Sequence, residues 1–279
     1  AGERSKTLIA VSGDHGAPGF PHGKCNLYGF GTGVSLIVSG PGVRGGRVVD
    51  DMVSLPDLAP TFLEAGNVKP PAVMTGRSLW NVLQSDRQGL VDPARTWVVA
   101  GRERHVEIAR PDFTPYPQRA LRTLDHVLIV NFKPERWPLG NPYRLDGKDE
   151  PTFDEVAKTT FVTLPDDDAG PTKAWFVGAR KSPEWSAQFD KFYGRRPMFE
   201  LYDLRKDPDE MNNLAEDPAY AAIRKEMTER LFTILRETGD PRMLEDGKYF
   251  ETPPLAGPLP KQEQKRLPGG QPVKKAKKK

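Results

Sequence analysis

Leu8-Ile9-Ala10-Val11-Ser12-Gly13-Asp14-His15-Gly16, followed by His22-Gly23-Lys24-Cys25-Asn26-Leu27-Tyr28, decides the fold of this chain. The opening apolar run is that of a short strand buried on both faces, as in a parallel sheet covered by helices. In open α/β sheets, ligands gather outside the carboxyl ends of the strands. Asp14 and His15 therefore stand where chemistry is done. Together they offer an oxygen and a nitrogen to a divalent cation. Gly16 lets the backbone turn sharply beside them, and Lys24 brings a mobile positive charge to an anionic substrate. Taken alone, the pair also fits a strand-end turn with a solvated aspartate.

The chain of 279 residues suffices for one large domain or two ordinary ones. Hydrophobic residues make up 37%, low for a compact globule, and 28 prolines point to many ordered loops. A net charge of +3 is too even a balance for a nucleic-acid binder. The basic excess gathers in Lys274, Lys275, Lys277, Lys278 and Lys279, behind Pro- and Gly-rich sequence, so residues 251–279 read as a disordered tail. A single cysteine, Cys25, rules out an intrachain disulfide. No stretch is long and apolar enough to span a membrane, and no signal peptide is legible.

Residues 8–12 and 34–39 read as strands joined by a glycine-rich loop over 13–33. Residues 54–65 read as a helix, with Ser54 or Asp57 capping its start and Gly66 closing it. Capping accounts for Asp57 without catalysis. A break into polar residues, glycine and proline near 86–94 marks a domain boundary, with a first domain over 1–94 and a smaller one over 95–250. In the second, residues 96–100 form a strand. Residues 118–123 and 126–131 alternate as an antiparallel hairpin turned at Leu124-Asp125, with one face packed. The Pro-rich stretch 132–171 is irregular, with short helices expected at 152–157 and 184–193. Its Asp166-Asp167-Asp168 run reads as a solvated acidic loop. Residues 199–203 are another strand. Asp217-Pro218 opens the clearest helix; Ile223, Met227, Leu231, Ile234 and Leu235 share one face of it, and Gly239 ends it.

Ser12-Gly13-Asp14-His15-Gly16, His22-Gly23-Lys24 and Leu27-Tyr28 resemble the late metal-and-substrate motif of type I sulfatases, roughly S-D-[HN]-G, a short loop, G-[KR], then L-Y. Val34 to Val43, Val53 to Leu63 and Thr75-Gly76-Arg77-Ser78-Leu79 follow the family pattern in order. Glu200-Leu201-Tyr202-Asp203-Leu204, with Asp207-Pro208 and Asn212-Asn213-Leu214, resembles its closing motif. Tyr116-Pro117-Gln118-Arg119 and the run from Asn131 to Pro138 are similar to the heparan N-sulfatase (sulfamidase) subgroup and its bacterial relatives. The family's nucleophile motif, C/S-x-P/A-x-R, finds no match, because Cys25 is followed by Asn26 and Leu27. Its early Asp-Asp metal ligands find none either, since Asp50-Asp51 lies between a strand and a helix. The resemblance therefore implies the C-terminal part of a larger enzyme, with formylglycine expected in an N-terminal part, and an isolated chain that is inactive.

The resemblance implies the end of an alkaline-phosphatase-like α/β/α sandwich, followed by a smaller α+β domain with an antiparallel sheet and a C-terminal helix. It makes Asp14 and His15 metal ligands and Ca²⁺ the expected ion. His15 stands where the family has Asn or His, and imidazole serves Ca²⁺ less well than an amide oxygen. Lys24 becomes the catalytic and substrate-binding residue, holding a sulfuryl oxygen. His22, at the pocket edge, and His105, reaching the cleft from the second domain, join it as substrate-binding candidates, each with a packing or surface role as the competing account. Cys25 reads as a small buried residue, and His126 as structural. The implied activity is hydrolysis of sulfate esters or sulfamates on sulfated glycans, in the periplasm or secreted. A sulfated carbohydrate is the implied partner, with no nucleic acid and no membrane span. A zinc-dependent phosphodiesterase or phosphatase of the same superfamily is the first rival, because Asp-His suits zinc. It needs His105 or His126 as a further ligand. A non-catalytic glycan-binding module, which needs no nucleophile, is the second.

Overall fold

The computed structural model describes residues 2–252, and the expected tail from residue 253 onward lies outside them. Near the start, β1 (Ile9–Ser12) pairs antiparallel with β2 (Leu36–Ser39), Ile9 facing Ser39 and Val11 facing Ile37. The glycine-rich segment between them holds one helical turn, α1 (Gly29–Thr32). The strand is not buried on both faces as expected. Ile9 is 43%, Val11 57% and Ile37 64% exposed, and the register places all three on one face of the pair. Among the described residues, that face lacks the second layer an apolar sheet requires.

Then come α2 (Leu58–Ala65) and α3 (Trp80–Gln84). Ser54 and Asp57 form a reciprocal capping box in the turn before α2. Asp57 also has a long-range task. It is buried, pairs with the Arg95 guanidinium at 2.9 Å and accepts the Arg77 N–H. Asp51, likewise buried, accepts the backbone N–H groups of Val91 and Asp92. The segment around the expected boundary at residue 94 is thus tied back onto Asp51 and Asp57.

The second sheet has four strands in the order β3 (Trp97–Arg102), β4 (Gln118–Thr123), β5 (His126–Asn131) and β6 (Phe199–Asp203), each antiparallel to its neighbour. The β4–β5 hairpin turns at the expected residues, but both of its faces are covered. Between β5 and β6 lie α4 (Phe153–Lys158), α5 (Pro171–Ala179) and α6 (Ser186–Tyr193). They share an apolar cluster that includes Leu139, Val156, Leu164, Val177 and Tyr193. Thr152 caps α4 in a reciprocal box with Glu155, and Pro171 occupies the first turn of α5, where its missing N–H costs nothing.

After β6, Asp217 accepts the Ala219 N–H and leads into α7 (Ala221–Glu237), with α8 (Lys248–Glu251) near the end of the described residues. The period-2 pattern of the sheet and the stripe along α7 meet here: Leu121, Leu128, Val130 and Leu201 pack on Met227, Leu231 and Leu235. The opposite face carries Ala120, Val127, Ile129 and Tyr202, and these pack on Leu27 and Tyr28. The glycine-rich segment is therefore pinned to the sheet by its own C-terminal end. Leu231 is wholly buried at the helix–sheet contact. Leu231→Ala is expected to lower stability by about 2–5 kcal/mol, through lost burial and a residual cavity. A urea titration measures this, and a change below roughly 1 kcal/mol would contradict the packing described.

Candidate active site

The loop from Gly13 to Gly33 is folded tightly onto itself. The Gly16 N–H donates to the Gly31 carbonyl at 2.9 Å, and the Lys24 N–H to that of Ala17 at 3.0 Å. A Cβ on Gly16 would lie 1.8 Å from the Phe30 carbonyl oxygen, and one on Gly23 would lie 2.1 Å from that of Ala17. At these two positions glycine is required by close backbone approach. His22 (φ 57°) and Cys25 (φ 73°) adopt left-handed backbone on either side of Gly23 and Lys24. Such conformations persist only where surrounding contacts impose them. Arg102 donates to the Cys25 carbonyl and, at 2.7 Å, to that of Pro138, while the Arg196 guanidinium reaches the Asn26 side-chain oxygen at 2.5 Å.

Asp14 lies just past the end of β1 with its side chain 89% exposed. The His15 ring donates from Nδ1 to the Gly16 carbonyl at 2.8 Å. That bond leaves Nε2 as the lone-pair nitrogen, and Nε2 lies 3.5 Å from an Asp14 carboxylate oxygen. Lys24 reaches across to Asp168, Nζ to Oδ2 being 2.9 Å, with both side chains partly exposed. The Asp168 hydrogen bond is the main reason the ammonium pKa is raised, and Asp14 adds to it through space. His105 is exposed, beside Val106, whose N–H donates to Asp166. Partial burial of its ring lowers its pKa below the usual histidine value; Lys24 and Arg102 add to this through space, and Asp166 and Asp168 oppose it. Of the candidates, Asp14 and His15 are in contact, and Lys24 interacts through space with Asp14 and with His105.

His22 does not join them. Its ring is 6% exposed, stacks on Tyr28 with centroids 3.8 Å apart, and meets Phe192 edge-on. It lines a separate hollow of about 360 Å³ with Phe30, Glu210 and Met211. Packing on Tyr28 accounts for the burial of this residue. Burial raises the Cys25 thiol to about 12, so it is inert at neutral pH.

The acidic run departs most from expectation. Asp166 is 1% and Asp167 2% exposed, so the loop is not solvated. Asp166 accepts from Arg110 at 2.8 Å and from the Val106 N–H, next to His105. Asp167 accepts from the Tyr193 hydroxyl at 3.2 Å, and the buried Lys173 ammonium donates to the carbonyls of Leu164 and Asp167. These anchors leave the third aspartate, Asp168, at the mouth. A run of acids ahead of Gly170-Pro171 and a helix carries a signal of its own, since carboxylates favour helix N-termini.

This architecture is the alkaline-phosphatase-like α/β fold of the sulfatases. A phosphonate monoester hydrolase from Silicibacter pomeroyi superposes with a TM-score of 0.54 at 19% identity, over 88% of this chain and 37% of that one. A 2-O GAG sulfatase superposes with a TM-score of 0.52 at 20% identity, over 85% of this chain and 38% of that one. N-sulphoglucosamine sulphohydrolase of Homo sapiens is 31% identical over 255 residues, which cover 86% of this chain and 44% of the human one. Residues 186–237 match the family described as N-sulphoglucosamine sulphohydrolase, C-terminal. The chain is homologous to the C-terminal part of sulfatases, N-sulphoglucosamine sulphohydrolase among them, and spans less than half the length of the curated relatives it matches.

Burial, with Arg196 and Lys191 nearby, holds the His22 imidazole down to about 3. An unfolded histidine takes up its proton near pH 6.5. Between these values the unfolded chain binds a proton that the native chain refuses, so stability falls as pH drops below about 6.5. The slope is up to about 1.4 kcal/mol per pH unit. His22→Asn, which suits the left-handed backbone, removes this dependence. Comparing urea unfolding of the two proteins at about pH 7 and about pH 4.5 should show the wild type losing roughly 2–3 kcal/mol relative to the variant. Parallel pH profiles would show that His22 protonates freely in the native state.

Proposed function

We propose that this chain supplies the metal- and sulfuryl-binding wall of a sulfuric ester or sulfamate hydrolase acting on sulfated glycans, close in type to sulfamidase. The observation that carries it is one glycine-rich segment that holds both the Asp14–His15 pair and Lys24, with the Lys24 ammonium 2.9 Å from Asp168, in a chain similar to sulfamidase. In the intact enzyme, a formylglycine hydrate from the remainder of the protein would supply the oxygen nucleophile, and a divalent cation would offset the charge of the sulfuryl oxygens.

The donor set at Asp14 fits a cation as part of a larger shell. An exposed carboxylate oxygen and an imidazole nitrogen lie 3.5 Å apart, and in this proposal both would turn to one ion. Ca²⁺ draws on six to eight oxygens. Among the described residues no group of three or more His, Cys, Asp or Glu side chains is gathered to complete a site. The remaining ligands belong, in this proposal, to the rest of the enzyme. Lys24 donates N–H bonds to the sulfuryl oxygens, and its charge is of most use where negative charge builds up in the transition state. His105, neutral near pH 7 because its pKa is lowered, hydrogen-bonds the sugar. The family also supports action in the periplasm or after secretion. No helix among the described residues is long and apolar enough to cross a membrane.

The nitrogen–oxygen pair at His15 and Asp14 also favours the zinc phosphodiesterase or phosphatase reading. His126 does not supply the extra ligand this requires. Its ring lies against Tyr220 and 4.0 Å from Asp203, on the β4–β5 hairpin. His105 is the one that remains.

Two substitutions in the intact protein test the proposal. Lys24→Ala is expected to lower kcat/KM on N-sulfated glucosamine by about 10²-fold or more. Near-normal turnover would remove Lys24 from the chemistry. Asp14→Asn is expected to strip the bound divalent metal in elemental analysis, and unchanged metal content would defeat the ligand assignment. The same measurement separates calcium from zinc.

A further inference from the structure

The acidic run has been given no role in the chemistry, yet one of its members touches the lysine on which the proposed activity depends. Lys24 Nζ and Asp168 Oδ2 are 2.9 Å apart, and their side chains are 22% and 33% exposed. A ligand that reaches the lysine therefore meets the carboxylate. Asp168 is also held in place. Its neighbours Asp166 and Asp167 are buried and bonded to Arg110 and Tyr193, and the Ala169 N–H donates to the Thr160 hydroxyl at 3.0 Å. On the other side, a Cβ built on Gly19 would lie 3.3 Å from the Asp168 carbonyl, so the run packs directly on the glycine-rich loop. The contact joins two rigid segments 144 residues apart in sequence.

We propose that Asp168 is a specificity-determining residue of this site, accepting a hydrogen bond from a neutral O–H or N–H next to the sulfuryl group and rejecting substrates that carry a second anionic group there. The proposal rests on Lys24 being the sulfuryl-binding residue. An ionised carboxylate is acceptor-only. Once Lys24 turns to a sulfuryl oxygen and the ligand covers the carboxylate from water, the acceptor it leaves behind is best satisfied by a donor on the ligand. A sulfamate N–H or a vicinal sugar hydroxyl meets this need. A second sulfate at that place brings like charges together beside a single cation, and discrimination by repulsion is a common route to specificity.

The test uses the intact protein with two sugars: glucosamine sulfated on nitrogen alone, and glucosamine sulfated on nitrogen and on the vicinal 3-hydroxyl. Wild type is expected to favour the singly sulfated sugar in kcat/KM by about tenfold or more. Asp168→Asn removes the charge and should cut that preference about tenfold, raising kcat/KM for the disulfated sugar while lowering it for the other. A sugar of glucose type sulfated on O2, which lacks the bridging N–H, tells the two donors apart: retained dependence on Asp168 assigns the hydroxyl, and lost dependence assigns the sulfamate N–H. A purely structural loss would scale both sugars equally. An active wild type whose preference is unchanged in Asp168→Asn would overturn the assignment and leave the sulfatase proposal standing. Turnover of no sulfated sugar by the wild type would defeat both. Asp168→Ser carries the same expectation should Asp168→Asn not fold.

Discussion

The Glu200 carboxylate is the interaction on which the placement of the site depends. It is 3% exposed on β6 and accepts hydrogen bonds from the Tyr28 hydroxyl at 2.6 Å, the Tyr202 hydroxyl at 2.8 Å and the Asn131 amide at 2.7 Å. Asn131 in turn accepts from Gln118 on the neighbouring strand. Burying a carboxylate away from water is costly, and it is sustained only when its oxygens are satisfied by such donors. Tyr28 lies at the end of the glycine-rich loop, 172 residues from its partner. Through this one side chain the loop is registered against the sheet. His22 stacks on the Tyr28 ring, and the Arg196 guanidinium sits 5.0 Å from the ring centroid. Losing Glu200 would therefore leave three buried donors unpaired and release the wall that carries Lys24.

Lys24 itself is placed by its neighbours. Arg102 grips the carbonyl of Cys25 and Arg196 the side chain of Asn26, so the two residues after the lysine are fixed from β3 and from the segment leading into β6. The left-handed backbone at His22 and Cys25 brackets the lysine on both sides. Strain of this kind needs an over-determined surrounding, and the two arginines, the stacked Tyr28 and the close glycine contacts provide it. What remains mobile is the tip of the Lys24 side chain, and Asp168 orients that tip.

Features built from neighbouring residues are legible in the sequence. Alternation marks β4 and β5, Asp217-Pro218 and the stripe from Ile223 to Leu235 mark α7, and the Ser54–Asp57 box marks the turn before α2. Asp14, His15 and Lys24 stand out in the sequence as candidates because their spacing resembles a family motif. Features that depend on distant partners are not. Nothing local distinguishes Asp166 and Asp167 from a solvated run, because their burial is made by Arg110, Tyr193 and Lys173. Nothing local shows that His22 stacks on Tyr28 and meets Phe192. The apolar run at β1 announces burial, yet the described residues leave Val11 and Ile37 exposed, because burial of a strand belongs to the whole sheet and not to the strand.

In the proposed function, the buried charges around the loop bear on how a site for anions would tolerate a carboxylate in contact with its lysine. Arg102, Arg110 and Arg196 are all buried there. Arg110 is paired with Asp166, but Arg102 donates to carbonyl oxygens and Arg196 to an amide oxygen, so neither of these two charges is neutralised by direct contact with a carboxylate. Burial lowers Arg102 only to about 10, so it stays protonated at neutral pH. Set in a low-dielectric interior, fixed cations of this kind act on the mouth over a longer range than surface charges do. In the proposed function, the arginines that hold the loop would add to the attraction for a sulfate, and Lys24 would rest on Asp168 between turnovers. The residues that shape the loop and those that charge it are the same, so substitutions at Arg102 or Arg196 would disturb structure and electrostatics together.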